Sequence, residues 1–146
     1  MRVIVQRVSE AKVTVDKEVI GSINQGLLLL VGIHEEDTND QLQWMCDKIL
    51  KLRVFSDDIG KMNKSVMDIQ GGILVVSQFT LYGDVKKGTR PSYIEAARPD
   101  KAEPMYNQMI DYFKNKSELN IQTGRFGAMM NVHLLNDGPV TLILEK

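Results

Sequence analysis

The sequence predicts an α/β fold: one strand-dominated domain, residues 1–146, with two helices and many antiparallel strand neighbours. Two observations predict it. Most apolar residues recur with a two-residue period or in short continuous runs, which is typical of strands. Two other segments have the three- to four-residue spacing of amphipathic helices. The length suits one domain, and 43% hydrophobic with 25% charged residues is typical of a folded globular chain.

The first third of the chain reads as strands. Its β-branched residues recur with a largely two-residue period, at Val3, Val5, Val13, Val15, Val19 and Ile23. Asp16 and Lys17 lie between two such runs, where we expect a hairpin turn. The continuous apolar run 26–33 predicts a strand that is buried on both faces.

Two helices follow. Thr38 is a suitable N-cap for the first, and Gln41 three residues later completes a capping box. The apolar face of this helix comprises Leu42, Met45, Cys46, Ile49 and Leu52. The second helix is predicted over 101–116, with an apolar face made of Ala102, Met105, Tyr106, Met109, Ile110 and Phe113.

The remaining segments predict short strands separated by turns and one long loop. Strands are expected at 53–55, 73–78, 121–123, 127–135 and 140–144. The long loop is 84–99, which is rich in Lys, Arg, Gly and Pro. The segment 136–139, Asn-Asp-Gly-Pro, predicts a tight turn between the last two strands.

Charge and cysteine content exclude several classes of protein. The formal net charge is −1, which argues against a protein that neutralises many phosphates along a nucleic acid but allows one that holds only its end. The single cysteine, Cys46, excludes an intrachain disulfide and a Cys-rich metal site. His34 and His133 have no metal-ligand spacing with a partner, so no metal and no cofactor is expected.

The hydropathy pattern predicts a cytoplasmic protein with no membrane partner. The longest aliphatic run, 27–31, is far shorter than the ~20 residues of a membrane span. The first seven residues are too polar for a signal peptide.

The first candidate site is the segment 77–81, Ser-Gln-Phe-Thr-Leu. Ser77, Gln78 and Thr80 place two hydroxyls and an amide where an apolar strand ends, and such strand ends commonly carry active groups. Phe79 offers a flat face on which a base could stack. The alternative is that Ser77 and Thr80 cap turns and that Phe79 belongs to the core.

The second candidate is Gly138–Pro139 within 136–141. X–Pro is the one common place for a cis peptide bond, and a Gly–cis-Pro pair presents a surface without side chains that discriminates ligands by shape. The alternative is an ordinary trans-proline turn.

The third candidate is a basic segment that contains Lys86, Lys87 and Arg90. These side chains could contact phosphates. The alternative is a solvated charged loop.

Together these segments resemble the D-aminoacyl-tRNA deacylases of the D-tyrosyl-tRNA deacylase type. Residues 1–8 look like the family's first strand, 77–81 matches its signature pentapeptide, and 87–93 is similar to its basic loop. Residues 124–130 followed by 136–141 are similar to its C-terminal motif. The resemblance covers essentially the whole chain. It implies a barrel-like, mostly antiparallel and mixed sheet with two helices packed on the outside, in three α/β/β layers.

The resemblance implies a homodimer that hydrolyses the ester between a D-amino acid and the terminal adenosine of tRNA, and that also clears glycine mischarged on tRNA. It implies that Ser77, Gln78, Phe79 and Thr80 line the pocket for adenosine and aminoacyl group. The Gly138–Pro139 pair would be cis, would reach into the partner subunit's pocket and would select chirality, with Arg7 holding it. Lys86, Lys87 and Arg90 would contact the acceptor end of the tRNA; DNA is not an expected partner.

This assignment suggests a mechanism of exclusion. An L side chain would collide with the Gly–Pro wall, whereas glycine would pass. Backbone N–H groups near Phe79 and Thr80 are candidates to stabilise the oxyanion, and the 2′-hydroxyl of the terminal ribose is the preferred aid to the attacking water.

Three alternatives stay open. Thr80 could be a covalent nucleophile, which would need a nearby base. The chain could instead be a Thr80-dependent hydrolase of small esters. It could also be a dimer that binds tRNA ends without catalysis.

Overall fold

A six-stranded mixed sheet with two helices dominates the computed structural model, which describes residues 1–146. The elements in chain order are β1 (Arg2–Val15), β2 (Glu18–Ile23), β3 (Gly26–Gly32), α1 (Asn39–Lys51), β4 (Phe55–Ser56), β5 (Met62–Lys64), β6 (Gly72–Ser77), a 3-10 helix (Phe79–Tyr82), α2 (Pro99–Lys116), β7 (Ile121–Thr123) and β8 (Asn131–Glu145). Strands β4 and β5 form a separate two-stranded sheet.

The order of strands in the main sheet is β2-β1-β3-β6-β7, and β8 pairs with β1. Strand β1 pairs antiparallel with β2, β3 and β8, whereas β3–β6 and β6–β7 are parallel. The sheet is therefore antiparallel around β1 and parallel around β6, as the predicted mixed sheet requires.

The sheet curls until its two ends nearly meet. Strand β2 and strand β7 lie at opposite ends of the strand order, yet a Cβ atom placed on Gly21 would lie 2.6 Å from the carbonyl oxygen of Thr123. Glycine is required at this approach because any side chain would collide with the backbone of β7. The predicted single domain with a nearly closed barrel-like mixed sheet and two helices is confirmed.

Two hydrophobic cores lie on opposite faces of the sheet. Leu27 and Leu29 of β3 face the larger core, to which both helices contribute their buried residues. Leu28 faces the smaller core inside the barrel, beside Val8 and Leu74. The prediction that the run 26–33 is buried on both faces is confirmed, and its alternation is what builds two cores from one strand.

The helices form largely as predicted. The N–H of Thr38 donates to Oε1 of Gln41 at 2.8 Å, as in the predicted capping box. Helix α2 begins at Pro99, two residues before the predicted start, because proline is well suited to the first turn of a helix. Neither helix combines the length and the apolar character that a membrane crossing requires.

Three predicted boundaries are wrong. Strand β8 begins at Asn131, not at residue 127, because 124–130 forms a loop. The short strand predicted at 53–55 lies instead at 55–56, where it pairs with β5. The strand predicted at 73–78 ends at Ser77, and a 3-10 helix follows.

The tight turn predicted at 136–139 is also wrong, because these residues bulge out of one continuous strand. Val8 pairs with Asn136 and Gln6 pairs with Thr141, so Arg7 alone on β1 faces the whole of 137–140 on β8. The long strand β1 pairs with both halves of β8, and this pairing overrides the turn composition of the segment.

Candidate active site

A cleft of about 550 Å³ opens at the carboxyl ends of three neighbouring parallel strands. Val31 lies at the end of β3, Ser77 ends β6, and the loop 126–130 follows β7. Loops that leave parallel strands at the same edge of a sheet gather around one crevice, which is the usual place for a ligand in such sheets. The cleft is therefore the candidate active site.

The lining of this cleft is almost free of ionisable side chains. None of its 17 lining residues is Lys, Arg, His, Asp, Glu or Cys. Its polar side chains are those of Ser77, Gln78 and Tyr93. No cluster of three or more His, Cys, Asp or Glu side chains elsewhere in the chain is arranged to hold a metal ion.

The first three residues of the pentapeptide predicted as the first site, Ser77, Gln78 and Phe79, form one wall, whereas Thr80 does not line the cleft. The N–H of Gln78 donates to the carbonyl oxygen of Val31 at 2.7 Å, which joins the end of β6 to β3. Phe79 then begins a single turn of 3-10 helix and leaves 57% of its side chain exposed in the cleft. Thr80 is exposed next to it and accepts a hydrogen bond from the side-chain amide of Gln78.

Arg2 supports this wall from behind. Its Nη1 donates to the carbonyl oxygen of Leu81 at 2.5 Å, its guanidinium lies 4.9 Å from the ring centre of Tyr82, and it pairs with Glu145. Burial raises the pKa of Tyr82 to about 12. The sequence analysis missed Arg2, because nothing in its local pattern indicates a partner 79 residues away.

The loop before α2 and the loop after β7 complete the lining of the cleft. Tyr93 comes from the first loop and lies beside Phe79, and Phe126 and Met129 come from the second. Phe126 lies 5.8 Å from the ring of Tyr106, whose hydroxyl donates to the carbonyl oxygen of Val75 at 2.8 Å. Burial raises the pKa of this phenol. Tyr93 and Phe126 are cleft residues that the sequence analysis did not single out, although both stand inside the motifs that carried the resemblance.

The Gly138–Pro139 pair lies apart from this cleft in the same chain. Its peptide bond is cis, both residues are exposed, and neither lines the cleft. A Cβ atom on Gly138 would meet no heavy atom within 4 Å. The structure thus places Ser77, Gln78 and Phe79 in the cleft, with Thr80 beside them but outside its lining, and leaves Gly138–Pro139 elsewhere on the surface.

Arg7 is buried beneath that pair. Its guanidinium donates to the carbonyl oxygens of Asp137 and Gly138 at 3.2 Å each, and to that of Val54. It also pairs with the carboxylate of Asp137 at 2.9 Å. The side-chain amide of Asn136 closes the base of the bulge by donating to the carbonyl oxygen of Arg7 at 2.9 Å.

Lys86, Lys87 and Arg90 lie in an exposed loop next to the cleft wall. Two backbone hydrogen bonds between Asp84 and Ser92, at 2.8 and 2.9 Å, close the base of this loop. None of the four ion pairs in the chain involves these three cations. His34 and His133 do not line the cleft.

The chain matches a family model described as D-Tyr-tRNA(Tyr) deacylase over residues 4–145. A D-aminoacyl-tRNA deacylase of Brevibacillus brevis is 59% identical over 146 residues, with all of both chains covered. A D-aminoacyl-tRNA deacylase of Chloroherpeton thalassium is 57% identical, with all of this chain and 96% of the relative covered.

Two solved structures share the fold. One, described as c-Myc DNA Unwinding Element Binding Protein, has a TM-score of 0.95 at 47% identity and covers 100% of this chain and 99% of that one. The other, described as a probable eukaryotic D-amino acid tRNA deacylase, has a TM-score of 0.83 at 16% identity, with 98% and 97% covered, and shows a likeness of fold alone. The family model and the relatives at 57–59% identity both span nearly the whole chain, which therefore belongs to the D-aminoacyl-tRNA deacylases, hydrolases that act on aminoacyl-tRNA.

Proposed function

We propose that this deacylase frees D-amino acids, and glycine mischarged on tRNA, by positioning the ester for water rather than by attacking it with a side chain. The observation that carries this proposal is the lining of the cleft, in which Tyr93 is the one ionisable group. A general base or an activated nucleophile needs a proton acceptor within hydrogen-bond reach, and the lining offers no His, Lys, Cys or carboxylate for this role.

The cleft suits the terminal adenosine and its aminoacyl ester. The exposed face of Phe79 stacks on the adenine, while Ser77 and Gln78 supply polar contacts at the end of β6. The first N–H groups of a helix have no partner within it. Outside the regular helices and strands, no backbone hydrogen bond uses the N–H of Phe79 or Thr80, so these two are our candidates to stabilise the oxyanion.

In the proposed reaction the oxygen of water bonds to the ester carbonyl carbon, and the negative charge develops on the carbonyl oxygen. The bond from that carbon to the ribose O3′ then breaks, and O3′ takes up the proton that the water has lost. The neighbouring 2′-hydroxyl assists the activation of the water. An aminoacyl ester is already reactive, so modest assistance suffices.

A covalent role for Thr80 is not favoured. The side-chain partner of its hydroxyl is the amide group of Gln78, which donates to Oγ1. An amide N–H is a donor and cannot take the hydroxyl proton during an attack. The hydrogen bond instead supports a positioning role for both residues.

Chiral selection requires a second subunit in this proposal. Gly138–Pro139 is exposed, is held by Arg7 and does not line the cleft of its own chain. The same strand β8 exposes apolar side chains on both sides of the bulge, at Leu134, Leu135, Leu142 and Ile143. Such a surface suits a twofold contact with a second copy. The homodimer would place the pair in the partner's cleft, where an L side chain collides and glycine passes.

The proposed partner is the acceptor end of tRNA in the cytoplasm. Lys86, Lys87 and Arg90 are exposed cations without carboxylate partners, in the loop that leaves the cleft wall. DNA, which the name of one solved structure mentions, is not the partner we propose. A chain of net charge −1 is suited to contact with few phosphates rather than many.

Release of labelled D-tyrosine from D-Tyr-tRNA tests this function, with L-Tyr-tRNA, Gly-tRNA and a free D-tyrosine ester as parallel substrates. We expect rapid release from the D and glycyl substrates and little from the other two. Equal turnover of the free ester would indicate a small-ester hydrolase. Binding of tRNA without any ester loss would indicate a binding protein.

A further inference from the structure

We infer that Tyr93 is a positioning residue that holds the base-stacking ring of Phe79 and the basic loop, residues 85–91, as one unit. The inference rests on the proposed function, because it assigns the loop and the ring to the same tRNA end. It adds a residue to which the proposed mechanism gives no role.

The first contact is between the two rings. Phe79 and Tyr93 meet edge to face, with centroids 5.1 Å apart and an interplanar angle of 70°. Both side chains line the cleft and both are partly exposed, at 57% and 39%. A half-exposed phenylalanine at the start of one helical turn has few neighbours to fix its rotamer, and the edge of a second ring fixes it.

The second contact is with the backbone behind Phe79. A Cβ atom on Gly83 would lie 2.9 Å from Cε1 of Tyr93 and 3.0 Å from the carbonyl oxygen of Thr80. The tyrosine ring therefore lies directly against the end of the 3-10 helix, at a distance that only glycine permits. The N–H of Gly83 donates to that same carbonyl of Thr80 at 2.9 Å, so the ring lies beside the residue that closes the turn.

The third contact joins Tyr93 to the basic loop. The loop begins after Asp84 and ends before Ser92. The backbones of these two residues exchange hydrogen bonds at 2.8 and 2.9 Å. Asp84 follows Gly83 and Ser92 precedes Tyr93, so both ends of the loop lie beside the contact between ring and glycine. The three cations of the loop form no ion pair, so they do not fix its position.

These contacts make the position of the loop depend on the ring. With Tyr93 in place, the cations and the face of Phe79 are presented at a fixed separation, and one tRNA end engages both. Without the ring, phosphate contacts no longer reinforce base stacking, because the two surfaces move independently. The affinity for tRNA falls, while the bond-breaking step does not change.

A double-mutant cycle tests this coupling through the KM for D-Tyr-tRNA and the Kd for uncharged tRNA. We expect the triple change Lys86→Ala, Lys87→Ala and Arg90→Ala to raise both constants about tenfold in the wild-type background. In a Tyr93→Ala background the same triple change is expected to raise them less than about threefold. An equal factor in both backgrounds would overturn the inference.

Four single variants distinguish the effect of the Tyr93 ring from the effects of its hydroxyl and of a neighbouring side chain. Tyr93→Phe keeps the ring and is expected to behave as wild type, whereas Tyr93→Ala and Gly83→Ala raise KM with kcat within about twofold. Ile94→Ala is the matched control, since this neighbouring side chain is 89% exposed and should change neither constant. A fall in kcat equal to the fall in kcat/KM for Tyr93→Ala would contradict a positioning role.

Failure of the proposed function and failure of the inference about Tyr93 give different results. A wild-type chain that releases no D-tyrosine but shows the background dependence in Kd would count against the proposed function and for this inference. A chain that releases D-tyrosine but shows equal factors in both backgrounds would keep the function and remove Tyr93 from it. Thermal unfolding of each variant identifies any that fails to fold, and the Gly83→Ala variant then supplies a second disruption of the same contact.

Discussion

Arg7 donates to the carbonyl oxygens of both Asp137 and Gly138, each at 3.2 Å, from a side chain that is buried under the bulge of β8. One planar guanidinium therefore directs two successive carbonyls, and it is fixed from a third side by the carbonyl of Val54. The planar arrangement of N–H donors in the guanidinium makes these three hydrogen bonds possible, whereas the ammonium group of a lysine has no such planar arrangement.

Replacing Arg7 should disorder the bulge and lower stability. Arg7→Ala leaves three carbonyl groups without their donor, and we expect the free energy of unfolding to fall by about 2–4 kcal/mol in urea titrations. Arg7→Lys should recover little of it. Arg53→Ala is the control, since Arg53 is exposed and forms no ion pair. Equal stabilities for Arg7→Ala and this control would contradict the described clamp.

Gly138→Ala should lower the hydrolysis of D-Tyr-tRNA without harming the fold. No heavy atom lies within 4 Å of the added methyl group in the chain itself, so the midpoint of thermal unfolding should stay within about 2 °C of wild type. In the proposed homodimer the methyl group enters the partner's cleft, where hydrolysis of D-Tyr-tRNA should fall at least about tenfold. If hydrolysis stayed normal and L-Tyr-tRNA were still rejected, the proposed role of this residue in chirality would be wrong.

Variants of Thr80 separate a nucleophile from a positioning group. With the hydroxyl as acceptor from Gln78, Thr80→Ala should retain measurable turnover, with a loss of about 10- to 100-fold rather than complete inactivity. A covalent mechanism would instead give no turnover for Thr80→Ala, substantial turnover for Thr80→Ser and a burst of released tRNA. Rapid-quench kinetics of tRNA release distinguishes the two patterns.

A tRNA that ends in 2′-deoxyadenosine tests the proposed assistance by the substrate. Because the cleft lining supplies no Lys, His or carboxylate, removal of the 2′-hydroxyl should reduce kcat by about 100-fold or more. The KM should change little, since stacking on Phe79 does not involve that hydroxyl. Normal turnover of the deoxy substrate would show that the water is activated in another way.

Cys46 gives a pH dependence of stability. Burial raises the pKa of its thiol from the ordinary 9.0 to about 12. Between these values the unfolded chain has lost a proton that the folded chain keeps, so the free energy of unfolding falls as pH rises, by at most about 1.4 kcal/mol per pH unit. Urea titrations at pH 8.5 to 10 should show a shallower decline for Cys46→Ala than for wild type. Parallel declines would contradict the burial of this thiol.

Local sequence patterns predicted the elements whose conformation is determined by residues within the element itself. Helix α1 has its capping box and its apolar face within 38–51, and β3 has its alternation within seven residues. The bulge of β8 was not predictable in this way, because Asn-Asp-Gly-Pro has the composition of a turn and only the pairing with β1 keeps it in a strand. Pairing between distant segments overrides local preference.

The residues of the site also differ in whether local sequence predicts them. The pentapeptide 77–81 was predicted because it is contiguous and matches a motif. The contact of Arg2 with Leu81 joins residues 79 positions apart, which no window of sequence brings together. The contact of Tyr93 with Gly83 spans only ten residues, but nothing in the pattern of the loop between them indicates it. The roles of Gly138–Pro139 and of the three loop cations stay predictions, since they concern a second subunit and a tRNA.

The alternation in strand β3 determines which mutations the chain tolerates. Leu27 and Leu29 pack in the core under the helices, while Leu28 between them packs in the interior of the barrel. A single-residue insertion or deletion within 26–32 would exchange the two sets and would also displace Val31 from the mouth of the cleft. We therefore expect this strand to accept many conservative replacements of one aliphatic residue by another, while any change in its length abolishes folding and turnover together.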